Sequence, residues 1–399
     1  MYAENGKIAS RQTFRLYVFD LMGIATLLLP PYLAKLCGVD GVFAIVIGTT
    51  AGFLYLFYLG WIMKKMGKDM CSFLQEDAFP LVKNATYILI MLHSILTAGF
   101  CAYVFANLMQ YSLIREMSYT TILLVILVVA AYAVSGGIES RARVYEVLFW
   151  FVLIPYVFMM IAALRNFELV YVDDWLQTDG ISLAKGIYLV FLLLTPLFFS
   201  LFLIGEKEKN YGENMVKTVV ASILVSAIIL LGSYVILIGN FGAGALGNMR
   251  YPVVTLMSTI QFKGNFLKRM DALMLAVWFF TLYALLNLHL HYGVTMLKEL
   301  FPGSKKRTQS DSPFKQSRST GIKQALWWQV LLPTIGTFWV AWLLEQSSDW
   351  VWVFLDYYSY GAVPVMIAGP AFLLLIAKRP RKKNFESANI RMKKGVSNE

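Results

Sequence analysis

"YVFDLMGIATLLLPPYLAKLCGVDG", residues 17–41, is an apolar run long enough to cross a bilayer as a helix, yet it carries residues that such a helix usually avoids. Asp20 places a carboxylate inside the run, Gly23 lies near its centre, and Pro30 and Pro31 follow two turns later. Each proline removes a backbone N–H and clashes with the carbonyl four residues earlier. The stretch therefore predicts a membrane span whose helix is interrupted.

The whole chain has the composition of a polytopic membrane protein. Of its 399 residues, 58% are hydrophobic and only 15% are charged. The mean hydropathy of +0.61 is far above that of soluble domains. No small-residue cleavage site follows the first apolar run, so we expect that run to be retained as a span and not removed as a signal peptide.

Several chemical classes are disfavoured by what the sequence lacks. Cys37, Cys71 and Cys101 are widely separated and have no C-x-x-C or Cys/His spacing, which argues against a disulfide framework or a zinc site. The sequence contains no phosphate-binding loop, nucleophile elbow, zinc-protease or kinase motif. We therefore predict no enzyme activity, no cofactor and no bound metal.

Apolar runs of about 18–25 residues predict ten spans. They cover residues 14–36, 42–63, 84–113, 119–136, 146–165, 184–204, 217–241, 270–297, 325–345 and 356–377. Most Lys and Arg residues then lie in the loops and tails of one side, which the positive-inside rule assigns to the cytoplasm. The net charge of +11 thus indicates topology and not a nucleic-acid partner.

This layout predicts one membrane domain with both termini in the cytoplasm. We expect a cytoplasmic N-terminus at 1–13, a ten-span domain at 14–377 and a basic tail at 378–399. The domain includes a basic cytoplasmic loop at 298–324. Basic segments of this kind lie near anionic lipid headgroups, or they determine topology without binding a partner.

Spans one and six are both interrupted. The sixth, "LAKGIYLVFLLLTPLFFSLFLIGEKEK" (183–209), carries Thr195-Pro196 just past its centre. If spans 1–5 and 6–10 are two halves, these spans occupy matching positions, and because five is odd the second half is inverted. We predict an all-α integral membrane fold of two inverted five-helix repeats with broken helices 1 and 6.

Broken helices at the midplane offer a small ligand two kinds of partner. The amide groups of a half-helix bind a carboxylate, and freed carbonyls accept from an ammonium group, so an amino acid satisfies both. Alternatively, both interruptions are ordinary proline kinks, compensated by Ser/Thr side chains or water.

Asp20 is costly inside a span, by at least ~2.5–3.5 kcal/mol if ionised, so we expect it to face the bundle interior or a watery cavity. It pairs with a ligand ammonium, holds a cation, or couples to protons. The alternative is structural: a hydrogen bond to broken backbone, or a pair with a basic residue near the cytoplasmic mouth.

Histidines occur in two spans. His93 and Thr97 lie on the same face of the third span, facing either a central cavity or a neighbouring helix. In the eighth span His289 and His291 follow Asn287, but residues two apart point to different faces and no acidic or cysteine ligand is near. Metal binding and catalysis are therefore not expected there.

Three stretches in this order resemble the spore germination permease family, the B subunits of nutrient germinant receptors, within the amino acid–polyamine–organocation superfamily. They are "MGIATLLLP" (22–30), "GVDGVFAIVIGTTAG" (38–52) and "MRYPVVTLMSTIQFKGNFLKRMDALMLAVWFFTLY" (249–283). The last contains the Arg-x-Asp entry, Arg269 and Asp271, into the eighth span. The ten-span layout agrees, so the resemblance covers about residues 8–377.

The resemblance implies two inverted repeats in the inner membrane of the spore. It also implies an A-type membrane subunit and a C-type lipoprotein as partners, and an amino acid or similar nutrient as ligand. Carried over by position, the ligand site consists of Gly23, Ile24, Ala25, Thr26, His93, Thr97, Thr195, Pro196, Phe199 and Tyr283.

Two functions remain open from the sequence. A germinant receptor subunit needs only a ligand that binds two conformers with different affinity. A proton- or cation-coupled amino acid permease needs the same site, with Asp20 as its coupling group. A membrane enzyme is disfavoured because no nucleophile and base constellation is present.

Overall fold

The computed structural model describes residues 9–203, 211–260, 270–302 and 327–376. In this part of the chain, α-helices joined by short turns make up almost the whole structure. They are α1 Ser10–Cys37, α2 Gly41–Met66, α3 Met70–Glu76, α4 Pro80–Ser112, α5 Tyr119–Ser135, α6 Gly137–Ala163, α7 Gly180–Leu192, α8 Tyr211–Leu246, α9 Pro252–Thr259, α10 Met270–Leu300, α11 Trp327–Gln346, α12 Ser348–Asp356 and α13 Val363–Ile376.

The helices coincide with the predicted spans. Among the described residues, eight helical stretches are apolar and long enough to cross a membrane, and one of them, Ser10–Met66, holds both α1 and α2. The apolar helix Tyr119–Ser135 accounts for the fourth predicted span. The prediction of an all-helical membrane fold is confirmed. The short helices α3 and α9, which lie in loops, were not predicted.

Helix packing follows the pattern of two related halves. The first helix of each half lies against the second helix of the other, because α1 packs on α8 and α7 packs on α2. The third helices, α4 and α10, pack on each other, and each also contacts the fourth helix of the opposite half, α11 or α5. This set of contacts is unchanged when the halves are exchanged, as inverted repeats require.

The structure corrects the predicted break in span one. α1 is helical without interruption through Gly23, Pro30 and Pro31. A Cβ at Gly23 would lie 3.0 Å from the carbonyl carbon and from the Cβ of Thr281 in α10. The glycine therefore permits close approach of two helices, a role that small residues commonly have in membrane bundles, and it does not unwind the chain.

Span six is broken where its proline predicts. α7 ends at Leu192, a turn follows, and the chain continues as a 3₁₀ helix, Thr195–Phe202. Pro196 deprives the Leu192 carbonyl of its usual amide donor, and the Thr195 hydroxyl donates to that carbonyl at 2.7 Å. An eight-residue 3₁₀ run is unusually long, and such runs often mark hinges.

Span ten has an irregularity that sequence analysis did not predict. α12 continues through a π-helical turn, Tyr357–Ala362, into α13. Tyr188 of α7 donates its hydroxyl hydrogen to the Ser359 carbonyl inside this turn. Isolated π turns are rare and occur frequently at functional sites. Among the described residues, spans six and ten thus contain a 3₁₀ and a π segment and lie against each other. α8 has one non-helical residue, Gly242, near its end.

The turn between α1 and α2 is tied to the loop that precedes α7. The Asp40 carboxylate accepts the backbone N–H groups of Leu176 at 2.6 Å and Thr178 at 2.9 Å. The Thr178 hydroxyl also donates to the Cys37 carbonyl at 2.8 Å. Most of the predicted basic loop 298–324 and all of the tail 378–399 lie outside the described residues.

Candidate functional site

A cavity of about 150 Å³ lies among the spans. Its wall comes from α1, α4, both parts of span six, α10, and α12 with its π turn. The lining residues are Asp20, Leu21, Ile24, Leu28, Leu29, Tyr32, Thr97, Phe100, Leu189, Leu192, Leu193, Pro196, Leu285, His289, Val351, Phe354, Leu355 and Tyr358. A mostly apolar wall with a few polar groups is typical of small-molecule sites.

The polar lining residues collect at one end of the cavity. α1 and α4 run in one direction, whereas α10 and span ten run in the other, because successive spans alternate. Asp20 is the first lining residue along α1, and His289 and Tyr358 are the last along α10 and span ten. In antiparallel helices these ends coincide. We call Asp20, Thr97, His289 and Tyr358 the floor; Tyr32 lies at the opposite, otherwise apolar end.

Asp20 is held by a buried arginine. Both side chains are almost fully enclosed, at 3% exposure for Asp20 and 4% for Arg141 of α6. The Arg141 Nη2 donates to Asp20 Oδ1 and also, at 3.1 Å, to the carbonyl oxygen of Ala284 in α10. Among the alternatives that the sequence left open, the structure thus has Asp20 paired with a basic residue while it also lines the cavity.

Two floor residues carry polar atoms that no described group satisfies. Both ring nitrogens of His289 and the hydroxyl of Thr97 are buried and make no hydrogen bond within the described protein. His289 is only 1% exposed, and Thr97 is 5% exposed. Since buried polar atoms nearly always have partners, these atoms leave hydrogen-bonding capacity unused at the floor.

Behind the floor, polar contacts join α4, span six and span ten. The His93 Nδ1 lies 3.3 Å from the Tyr357 hydroxyl, and the hydroxyls of Thr195 and Tyr358 are hydrogen bonded. His93 and His289 meet edge to face, with 5.8 Å between ring centroids. His93 and Thr195 therefore support the floor and do not line the cavity themselves.

Within span one, the structure divides the predicted ligand residues. Ile24 lines the cavity. Gly23 packs against α10, and Ala25 lines a separate cavity of about 20 Å³ on another face of α1. The Thr26 hydroxyl accepts from the indole nitrogen of Trp278 at 3.3 Å, and Thr26 is fully buried between the helices.

The remaining predicted residues lie at different depths. Pro196 lines the cavity. Phe199 does not line the cavity: it lies one layer behind the wall and stacks on Tyr292, with 4.2 Å between ring centroids. The Tyr283 hydroxyl donates to the Val129 carbonyl at 3.0 Å, so that side chain is directed toward α5.

The predicted Arg-x-Asp entry into the eighth span cannot be placed in the same way. Arg269 lies outside the described residues. Asp271 belongs to the first turn of α10, and its side chain is not among those described.

Sequence reasoning missed three of the residues that define the site. Arg141 stands in "GIESRARVYE" (137–146), a basic segment between the predicted fourth and fifth spans that by sequence alone indicates topology. His289 was discounted for lack of metal-ligand spacing, although a hydrogen bond to a ligand needs only one ring nitrogen. For Tyr358 the available signal was "YYSYGAVP" (357–364), a tyrosine cluster with glycine before proline inside an apolar run.

The described residues contain no group of three or more His, Cys, Asp or Glu side chains placed to hold a metal ion. The floor offers instead a carboxylate, a hydroxyl, a phenol and an imidazole around an apolar space. These groups can bind and orient a small polar molecule by hydrogen bonds and charge.

The fold is similar to that of solved transporters. A Na⁺-coupled sialic acid symporter in a substrate-bound outward-open state matches with a TM-score of 0.58 and 11% identity, over 89% of this chain and 78% of that one. Mhp1, a nucleobase-cation-symport-1 family transporter in a closed conformation with bromovinylhydantoin bound, gives a TM-score of 0.61 and 13% identity, over 84% and 72% of the two chains. At this identity the likeness establishes the inverted-repeat membrane fold alone.

Sequence relatives specify the family. Spore germination protein B2 of Bacillus subtilis (strain 168) is 23% identical over 68% of this chain and 74% of its own. Spore germination protein A2 of the same strain is 20% identical over 75% and 82%. The two solved neighbours are transporters, and the two sequence relatives are spore germination proteins. Since the model of the family described as "Spore germination protein" matches residues 7–311, more than half of the chain, this protein is a member of the spore germination permease family.

Proposed function

We propose that this chain is a B-type subunit of a nutrient germinant receptor and that it binds an amino acid or similar small nutrient in the cavity. The observation that carries the proposal is the floor, where His289 and Thr97 present buried polar atoms without a protein partner. Family membership supports the receptor assignment. The ligand supplies the hydrogen bonds that the floor lacks.

The distribution of polarity suggests the ligand's chemistry. The floor combines the Asp20 carboxylate, which can accept a hydrogen bond from an ammonium group even while paired with Arg141, with His289 and Thr97, which can donate to a carboxylate. The opposite end is lined by side chains such as Leu28 and Phe354. An engineered apolar cavity of ~150 Å³ holds benzene. A cavity of the same size therefore suits an amino acid with a small aliphatic side chain, its charged end at the floor.

In this proposal, nutrient binding changes the population of two conformers. The ligand shifts the equilibrium only by its difference in affinity for them. The shift is passed to an A-type membrane subunit and a C-type lipoprotein in the inner membrane of the spore, with both termini of this chain in the cytoplasm. Membership of the germination family and the helical membrane fold support this arrangement.

A proton- or cation-coupled amino acid permease is the second candidate. The likeness to a Na⁺-coupled symporter and a nucleobase-cation-symport-1 transporter favours it, although that likeness concerns the fold. The two candidates differ in one measurable respect. A permease accumulates its substrate against a gradient, whereas a receptor subunit needs only to bind it.

Binding and uptake by the same preparation test both candidates. The full chain is reconstituted in nanodiscs for equilibrium binding of labelled L-alanine and L-valine, and in proteoliposomes for uptake. Binding without concentrative uptake is expected. Concentrative uptake by the chain alone would contradict the receptor assignment and support the permease, and binding of neither probe would count against a site for small aliphatic amino acids.

A pair of threonine variants on α4 locates the binding site. Thr97→Val removes a hydroxyl from the floor and should weaken binding about 2–10-fold, the effect of one hydrogen bond. Thr86→Val is the matched control, because the Thr86 hydroxyl bonds the Val82 carbonyl of its own helix and does not line the cavity. Equal affinity of the two variants would show that the ligand does not contact Thr97.

A further inference from the structure

Arg141 stands between two oxygen atoms that belong to different helices. Its Nη2 contacts the Asp20 carboxylate of α1 and the Ala284 carbonyl of α10, and its Cζ lies 5.4 Å from the ring centroid of Tyr145. A carboxylate and a backbone carbonyl are the oxygen ligands that hard metal cations prefer. The guanidinium therefore occupies the position from which a small metal cation would bridge the same two oxygens.

We propose that Arg141 is a fixed, internal counter-ion of Asp20, and that this site consequently works without sodium or another monovalent metal ion. Arg141 is a positioning residue, since it acts through Asp20 and is not among the residues that line the cavity. The inference rests on the proposed function only in taking the cavity as the ligand site.

Two physical arguments support a permanent pair. A guanidinium keeps its charge at all relevant pH values, so the partner of Asp20 is always charged. Both charges are almost completely buried, and removal of either one would leave the other buried and unpaired, which is strongly destabilising. A bound metal ion, in contrast, leaves when its concentration falls.

The continuity of α1 gives a third, independent argument. In transporters with discontinuous spans, unwound backbone carbonyls supply ligands to coupling ions. Here α1 remains helical through Gly23, so it offers Asp20 as an oxygen ligand but no unwound segment next to it. Without Arg141, the unpaired Asp20 carboxylate would be the main group that attracts a metal cation to this site.

The test uses metal ions as the probe and needs no nutrient. Thermal unfolding of the full chain in detergent is followed by tryptophan fluorescence in sodium, lithium and choline chloride of equal ionic strength. The wild-type chain should unfold at the same temperature in all three salts. Arg141→Met should gain a saturable stabilisation by sodium or lithium, on the order of 2 °C at tenfold excess over the dissociation constant.

Further variants assign the effect. Asp20→Asn combined with Arg141→Met should lose the cation response, because the carboxylate is gone. Arg141→Lys should respond to metal ions less than Arg141→Met, since a lysine next to Asp20 supplies a positive charge there whenever it is protonated. Arg143→Met is the matched control: Arg143 lies one half-turn along the same helix, is half exposed and pairs with Glu139.

Two results would overturn the inference. One is that the wild-type chain unfolds at a higher temperature in sodium than in choline, and that Asp20→Asn abolishes this difference. This comparison needs no Arg141 variant, so it also tests the inference if Arg141→Met does not fold. The other is a folded Arg141→Met that no metal ion stabilises. Failure of nutrient binding, in contrast, would refute the proposed function and leave these outcomes unchanged.

Discussion

A methyl group at Gly23 should separate two helices that form one side of the cavity. The added Cβ would lie 3.0 Å from the carbonyl carbon and the Cβ of Thr281, and 3.1 Å from its hydroxyl oxygen. Carbon atoms pack favourably at about 3.5–4.0 Å, so α1 and α10 must move apart by at least about 0.5 Å. A rotamer change at Thr281 cannot relieve the first two contacts.

The size of the effect follows from two opposing contributions. Overpacking costs about 1–3 kcal/mol, whereas replacement of glycine by alanine within a helix stabilises by about 0.5–1 kcal/mol. Replacement of Gly232 in α8 by alanine measures the stabilising contribution alone, because a Cβ there meets no atom within 4 Å and causes no overpacking. We expect Gly232→Ala to be at least as stable as wild type and Gly23→Ala to be about 1–3 kcal/mol less stable than Gly232→Ala.

Thermal unfolding of the three proteins in detergent, followed by tryptophan fluorescence, measures this difference. Trp278 provides a local signal, since its indole nitrogen donates to Thr26 at the same helix crossing. Equal stability of the two alanine variants would refute the tight crossing. It would also revive the interpretation of Gly23 as a point of unwinding, because an open backbone there leaves room for a methyl group.

Two further predictions concern the turn after α1 and the π turn. Burial alone would raise the pKa of Asp40. The hydrogen bonds from the backbone N–H groups of Leu176 and Thr178 outweigh burial and hold that pKa below its usual value of about 3.9. The carboxylate therefore stabilises the fold above that pH and loses its effect as the pH falls through the lower, folded-state pKa. The difference in unfolding temperature between wild type and Asp40→Asn should be constant near neutral pH and shrink below about pH 4; a difference as large at pH 3 as at pH 7 would contradict this. Deletion of Gly361 should convert the π turn, Tyr357–Ala362, to α-helix and rotate α13 by about 100°. Nutrient binding by the chain should then survive while the germination response of spores is lost, and an unchanged response would exclude the π turn from signalling.

The parts of the fold that depend on local chemistry were predictable from the sequence. Apolar length determines the spans, and the missing N–H of Pro196 determines where span six breaks. The cost of burying a carboxylate places Asp20 in the interior. Each of these inferences needs only the residue and its immediate neighbours.

Inferences that depend on distant partners were beyond the sequence. Glycine in a span serves either unwinding or close packing, and the choice at Gly23 is made by Thr281, which is remote along the chain. Arg141 belongs to a basic segment whose other members serve topology, and only its contact with Asp20 distinguishes it. The π turn has no established local signature, because Tyr357 and the Ser359 carbonyl within it bond to groups on α4 and α7.

The cavity has one firmly held side and one irregular side, and this asymmetry suggests the direction of signalling. α1 and α10 are joined by the Gly23 crossing, by the Trp278–Thr26 bond and by Arg141, which bonds both helices. Span six and span ten face them with a 3₁₀ helix and a π turn, linked through the Thr195 and Tyr358 hydroxyls.

Under the proposed function, a ligand that fills the floor would therefore displace the irregular side more easily, because regular helices in a packed core resist deformation more than isolated turns of other helical types. Movement of the π turn is carried directly into α13. That helix is held to α2 through the Tyr58 hydroxyl, which donates to the Ile367 carbonyl at 2.5 Å. In the proposed receptor, the surface formed by α13 and α2 is accordingly where a change in cavity occupancy would first reach a partner subunit.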